Sequence, residues 1–349
     1  MNAGDILRRS AKRYPNKIAL LFEDSRFSFK EFNCRVNKLA NALLKLGMDK
    51  GDRIAILAEN CNQCVEAFYA AVKIGMVMAP INPHLSSQEI HHLITNAEAT
   101  VVIVADRYKE IVQSLWPQLP SVRGVIIIGS PWKEMKGYEE FISASSPEEP
   151  RDIAITESDL FCLVLTAGTT GIPKQVMRTY RAVIADLFNV LLALHISTED
   201  IGLLASPPYW ASFLTWFTAP FFYMGASVVV TTGLNLKSVL ELIDKEKVTT
   251  TVLPSSFIGA AVAYPELDKY DLSSLRIVGL TGGTLQPEIM KKAVEKIGRI
   301  FMVMYSTSEV TNITYLSPKE MMFEGLPDEV RRLRSCGRDA APLNVDVRI

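Results

Sequence analysis

The chain has 349 residues and 48% hydrophobic content, enough to bury a large core as two domains or one large α/β unit. Its 37 basic and 38 acidic residues nearly cancel, which leaves no general electrostatic reason to bind nucleic acid or an anionic membrane. No apolar run reaches bilayer-spanning length, because Pro220 and Gly225 interrupt the longest ones, and the N-terminus lacks the apolar centre of a secretion signal.

In chain order, the first helix is predicted over residues 29–46. It opens on Ser28-Phe29-Lys30-Glu31, where a glutamate three residues after a serine satisfies two amides reciprocally. A β-branched strand over 53–57 and a helix over 64–74 follow. Ser86-Ser87-Gln88-Glu89 repeats the capping pattern before a helix over 87–96. Strands over 100–104 and 124–128 complete an early α/β block, and the polar segment 143–151 reads as an exposed connection. Beyond it come a strand over 160–166, a helix over 180–194, a strand over 227–231 and a helix over 236–245. Strands over 249–253, 275–280 and 300–304 close the pattern, with a helix over 287–297 among them. Such alternation points to parallel sheets covered by helices.

The strand over 160–166 runs straight into Thr166-Ala167-Gly168-Thr169-Thr170-Gly171-Ile172-Pro173-Lys174. Glycines let the backbone approach a ligand closely, and successive amides can then cradle phosphate oxygens. Thr166, Thr169 and Thr170 add hydroxyls, Lys174 adds a positive charge, and Pro173 is expected to stiffen the exit toward the next helix. The bland alternative is an ordinary strand-to-helix turn. The loop is not a Walker loop, which needs four residues between its glycines and a Gly-Lys-Ser/Thr ending.

This loop is similar to the Thr-Ser-Gly-Thr-Thr-Gly-x-Pro-Lys-Gly signature of the adenylate-forming superfamily, which includes acyl-CoA synthetases, aryl-acid ligases and luciferases. Ala167 and Gln175 are departures, and Ala167 lacks a hydroxyl available to a phosphate. The resemblance covers essentially the whole chain in family order. Segments 26–32 and 73–83 resemble early packing segments that carry no chemistry. Thr281-Gly282-Gly283-Thr284-Leu285 resembles a turn that lies along adenine and the acyl group. Tyr305-Ser306-Thr307-Ser308-Glu309 resembles Tyr-Gly-x-Thr-Glu, which implies a ring on adenine, a hydroxyl on the α-phosphate and a carboxylate on Mg²⁺. Segment 334–342 resembles Gly-Ser-Val-Gly-Arg-Pro.

The resemblance implies the large N-terminal domain of adenylate-forming enzymes: two helix-covered, mainly parallel sheets plus the start of a small β-barrel. The expected subdivision is 1–190, ending with the phosphate loop and its helix, then 191–330, then the barrel start at 331–349. It also implies a further C-terminal domain, bearing the adenylation lysine, that this chain lacks, and so an isolated chain that binds adenylates but turns over poorly.

The implied chemistry is ATP-dependent activation of a carboxylic acid to acyl-AMP, followed by transfer to coenzyme A. Thr166, Lys174 and Glu309 would act on the reacting phosphates, with Thr166 and Glu309 holding Mg²⁺. Ala167, Gly168, Thr169, Thr170, Gly171, Gly282, Gly283, Thr284, Tyr305, Ser306, Thr307 and Ser308 would surround the nucleotide. Trp210 stands where amino-acid-activating members carry an aspartate, so a fatty or other apolar acid is expected first and an aryl or o-succinylbenzoate-type acid second. Trp210, Phe213 and Phe257 are candidates for its pocket, against the alternative that such residues belong to the core of an amphipathic helix.

Other constellations read as structural. Cys61-Asn62-Gln63-Cys64 has no partner pair for a metal, and the adjacent His91 and His92 point apart on a helix. Five cysteines at irregular spacing argue against a disulfide framework, so a cytoplasmic location is expected, with a homodimer possible in principle.

Overall fold

The two capping patterns form as their spacing requires. The Glu31 amide donates to Ser28 Oγ (3.2 Å) while the Ser28 amide donates to the Glu31 carboxylate (2.8 Å), which starts helix Phe29–Lys45. Ser86 and Glu89 do the same for helix Ser87–Asn96, at 3.3 and 2.8 Å. The computed structural model in which these contacts are seen describes residues 3–166, 173–283, 285–325 and 330–339.

Within the described residues, chain order gives β1 (Ile18–Phe22), β2 (Ser25–Ser28), β3 (Arg53–Leu57), β4 (Val77–Ile81), β5 (Val101–Ala105), β6 (Gly124–Ile128), β7 (Lys136–Gly137), β8 (Leu160–Leu165) and β9 (Gln175–Thr179). Then follow β10 (Ile201–Leu204), β11 (Ser227–Val230), β12 (Thr250–Pro254), β13 (Ile277–Thr281), β14 (Phe301–Tyr305), β15 (Thr314–Leu316) and β16 (Arg338–Asp339). One sheet has the order β7-β6-β5-β3-β4-β8-β9, the other β16-β15-β14-β13-β12-β10-β11-β1-β2. Pairing is parallel except at the edges, where β9, β2, β15 and β16 run antiparallel to their neighbours. This is the expected pair of mainly parallel, helix-covered sheets.

Both sheets share one central core. Ile54, Ile56, Val101 and Ile103 of the first sheet join Leu20, Val228, Val252 and Met302 of the second through helix residues Phe32, Phe68, Leu187 and Phe217. The outer faces are covered separately, the first sheet by Ile90, Leu93 and Val112, the second by Val239, Phe257 and Met290. The layering is therefore helix, sheet, helix, sheet, helix, as expected of strands buried on both faces. Because β1 pairs with β11 through Leu20–Val228, the hairpin β1–β2 lies in the second sheet although it precedes the first in sequence.

The structure sharpens three sequence expectations. The loop after β8 leads back along β8 as the antiparallel strand β9, and helix Tyr180–Leu194 starts only after that strand. The glycine–threonine segment is thus a hairpin connection, not a strand-to-helix turn. Residues Phe213–Thr218 form a widened helical turn with all six side chains buried, running into helix Ala219–Met224. Four of the six are apolar and the buried Thr215 hydroxyl donates to the Ala211 carbonyl at 2.8 Å, so the stretch belongs to the core of the central layer on every side. Segment 143–151 is exposed but pinned: Asn37 and Asn41 amides donate to the Pro147, Ser146 and Glu148 carbonyls at 2.9 Å, and the buried Lys73 ammonium meets Glu149 at 2.7 Å.

Candidate active site

The motif segments follow carboxyl ends of strands that have parallel neighbours. Thr166 follows β8, segment 206–213 follows β10, Gly282 follows β13 and Ser306 follows β14. Open α/β sheets leave their ligand crevices at this end, where strands deliver backbone and side chains to loops.

Leu165, the last residue of β8, gathers three of these segments. Its amide donates to the Tyr209 carbonyl at 3.0 Å, and its carbonyl accepts from Ser308 Oγ at 2.9 Å. One step on, the Thr166 amide donates to the Lys174 carbonyl at 3.0 Å, and the Lys174 amide donates to Thr166 Oγ1 at 3.4 Å. The base of the hairpin loop is thereby closed between Thr166 and Lys174. Ala167, Gly168, Thr169, Thr170 and Gly171 lie outside the described residues, as does Thr284.

Around this point Tyr305 is 49% exposed, Ser306, Thr307 and Ser308 are half-buried, and Glu309 and Lys174 are exposed. Thr307 makes a local turn, donating its amide to the Val310 carbonyl (2.9 Å) and accepting the Val310 amide at Oγ1 (3.1 Å). Gly282 and Gly283 have φ of +74° and +135°, and among the described residues a Cβ at either would meet nothing within 4 Å. These glycines supply a turn that other residues resist, and the open space beside them admits a ligand against bare backbone. Ser255, which the sequence reading missed, donates its hydroxyl to the Gly283 carbonyl and so anchors that turn.

Among the described residues no group of three or more His, Cys, Asp or Glu side chains is placed to hold a metal ion. This donor set fits Mg²⁺ in a particular way. Mg²⁺ keeps several waters and is commonly held by one or two carboxylates plus substrate phosphates, and Glu309 is an exposed carboxylate next to Ser308.

The three pocket candidates separate. Phe213 is fully buried against Phe68, with ring centroids 5.4 Å apart, and Phe257 lies in the outer core of the second sheet. Trp210 is 42% exposed and edge-on to Tyr209, and it borders a small apolar cavity of about 10 Å³ with Phe68, Phe161, Arg178 and Thr215. Tyr209 also lines an open cleft of about 120 Å³ with Asn60, His84, Pro207 and Thr232, which gives the isolated His84 of the sequence a place.

Two of the thiols are buried deeply enough to stay protonated. All five cysteines are free, and Cys61 and Cys64 lie with sulfurs 3.5 Å apart at the start of helix Asn62–Ile74. Burial pushes the Cys64 thiol well above its ordinary range and Cys162 up to about 12, so neither offers a thiolate at neutral pH.

A further charged residue lies beneath the site. Arg178, on β9, is almost wholly buried, donates one N–H to the Ser308 carbonyl at 2.9 Å, and pairs with Asp186. The one sequence trace of it was an aspartate, Asp186, inside an otherwise apolar stretch of predicted helix, eight residues after an arginine.

Comparisons with known proteins bear on the family and the fold. The chain is 26% identical to the indoleacetate–CoA ligase of Aromatoleum aromaticum, over 98% of this chain and 65% of that protein. It is also 26% identical to a medium/long-chain-fatty-acid–CoA/3-oxocholest-4-en-26-oate–CoA ligase of Mycobacterium tuberculosis, over 84% of this chain and 58% of that ligase. The chain thus spans about two thirds or less of the length of these curated relatives. Its fold matches the crystal structure of the anthranilate CoA ligase AuaEII in complex with anthranoyl-AMP, with a TM-score of 0.88 and 22% identity over 97% of this chain and 63% of that one. The family model described as AMP-binding enzyme matches residues 7–349, and the chain belongs to that family.

Proposed function

We propose that this chain forms the nucleotide and acid site of an AMP-forming acid–thiol ligase. The observation that carries the reading is the meeting of three segments at Leu165, where the hairpin loop, the Tyr209 segment and the Ser308 segment are joined by hydrogen bonds. The acid's carboxylate attacks the α-phosphate of ATP; an acyl–phosphate bond forms, and the bond to pyrophosphate breaks. Coenzyme A then displaces AMP through its thiol.

Thr166, Ala167, Gly168, Thr169, Thr170, Gly171 and Lys174 hold the phosphates and offset charge on the departing pyrophosphate, which is electrostatic rather than covalent catalysis. Tyr305 faces adenine, Gly282, Gly283 and Thr284 border the nucleotide, and Ser306 and Thr307 shape the turn that presents the Ser308 hydroxyl. Glu309, with Thr166, would hold Mg²⁺, which when bound neutralises phosphate charge. The open cleft beside Tyr209 offers coenzyme A an approach.

For the acid we favour a fatty or other apolar carboxylic acid, with an aryl acid second. Trp210 in place of a carboxylate supports this choice, and the two curated relatives are named for indoleacetate and for fatty and steroidal acids. Among the described residues no helix is long and apolar enough to cross a membrane. We place the protein in the cytoplasm, with a homodimer as a working assembly.

The test is exchange of labelled pyrophosphate into ATP. Exchange that depends on an added apolar acid is expected. Exchange indifferent to every acid would overturn the ligase reading in favour of phosphate transfer. The chain's partial span of its relatives motivates a second reading, a module that binds ATP or acyl-AMP with little turnover. Binding of acyl-adenylate analogues without any exchange is the result that would select it.

A further inference from the structure

We infer that Arg178 and Asp186 form a positioning pair that sets the phosphate-facing residues of the 305–309 segment against the hairpin loop. The inference rests on the adenylating reading above and adds residues that lie outside the family motifs. Arg178 sits on β9, the strand that leaves the loop, and its side chain is 3% exposed. One guanidinium nitrogen donates to the Ser308 carbonyl at 2.9 Å, and another pairs with the carboxylate of Asp186, itself 2% exposed, on helix Tyr180–Leu194.

Ser308 is therefore gripped twice by the same hairpin. Its hydroxyl reaches back to Leu165 at the end of β8, and its carbonyl is held by Arg178 of β9. Ser308 and Arg178 lie 130 residues apart in sequence and on strands of different sheets or their exits. The contact therefore ties the α-phosphate side of the site to the loop that carries the other phosphates. A buried ion pair is weak evidence for stability, because desolvation offsets most of its attraction. What Arg178 supplies beyond charge is a planar fork with several fixed donors, able to serve two acceptors at once. Lysine at this position would have a single nitrogen to satisfy both Asp186 and Ser308.

The test separates phosphate recognition from folding. AMP and adenosine are titrated calorimetrically into the wild-type chain, into Arg178→Lys, and into the double variant Arg178→Met/Asp186→Leu, which removes both charges together and strands neither. The wild-type chain should bind AMP more tightly than adenosine. Both variants should lose roughly tenfold of that preference, the scale of one hydrogen bond to a charged group, while adenosine affinity stays within about twofold.

Variants that keep the full AMP preference would overturn the proposal. So would an equal loss for both ligands, which would mark a purely structural role. If the wild-type chain itself shows no preference for AMP, the adenylating reading fails first, and the two failures are told apart. Should the double variant not fold, Arg178→Lys, which keeps the pair with Asp186, decides the question.

Discussion

Leu165 has an unremarkable apolar side chain, and its two backbone groups hold three segments of the site together. Ser308 is the partner that can be removed without disturbing the core, since it is half-buried and lies in a loop. Ser308→Ala should lower affinity for an acyl-sulfamoyl adenosine by about tenfold, because its single O–H, which donates to the Leu165 carbonyl in the free chain and would turn to a ligand oxygen on binding, is lost. Ser308→Thr keeps the hydroxyl and should stay within about twofold in the same titration. The candidate residues at the site came from motif order: Tyr305 to Glu309 alone would mean nothing, and the segment gains value by following the loop and the 281–285 turn at family spacing. Arg178 was not legible in this way. Its role depends on Ser308 arriving from far along the chain, and local pattern carries no information about such a meeting.

Among elements, the capped helices were the most readable, because their signals are local. Each box should contribute its share independently: Ser86→Ala leaves the Glu89 amide without its acceptor and should cost about 1 kcal/mol in denaturant unfolding. Gly225 ends helix Ala219–Met224 at φ +75°, and a Cβ there would lie 2.2 Å from the Tyr14 ring. Gly225→Ala should therefore destabilise by more than about 1 kcal/mol, through both backbone strain and overlap with an aromatic side chain. The same fold hid its edges from sequence. β9, Gln175-Val176-Met177-Arg178-Thr179, opens on a polar residue, closes on two and has only Val176-Met177 between them, so it shows neither a buried run nor clean alternation. Its assignment comes from pairing with β8, which turned the anticipated strand-to-helix turn into a hairpin.

On the scale of the whole molecule, the Asp200 network and the proposed site sit at opposite ends of the strands. Asp200 precedes β10 at its amino end and accepts from Arg276 Nε and Nη2 (2.6 and 2.7 Å), Thr249 Oγ1 (2.6 Å) and the Ser197 amide (2.7 Å). Burial alone would raise this carboxyl group. The bonds from Arg276, Thr249 and Ser197 outweigh it and hold the group below the usual carboxylate range. A depressed folded-state value means the contribution is fully present above the unfolded value of about 3.9 and is lost as pH falls through the lower folded value. Asp200→Asn should lower stability by about 2 kcal/mol at pH 7 and flatten the acid limb of the unfolding curve below about pH 4. Thermal melts from pH 3 to 7 check the sign, and an unchanged acid limb would contradict it.

The functional end, where strands from both sheets deliver their loops, is the central claim. Its most direct measurement is calorimetric titration of the chain with acyl-sulfamoyl adenosines that differ only in the acyl group. The account predicts saturable binding at one site, tighter than AMP, strongest for an apolar acyl group and weakened by Ser308→Ala. Absence of saturable binding across the whole series, or binding indifferent to Ser308→Ala, would contradict it.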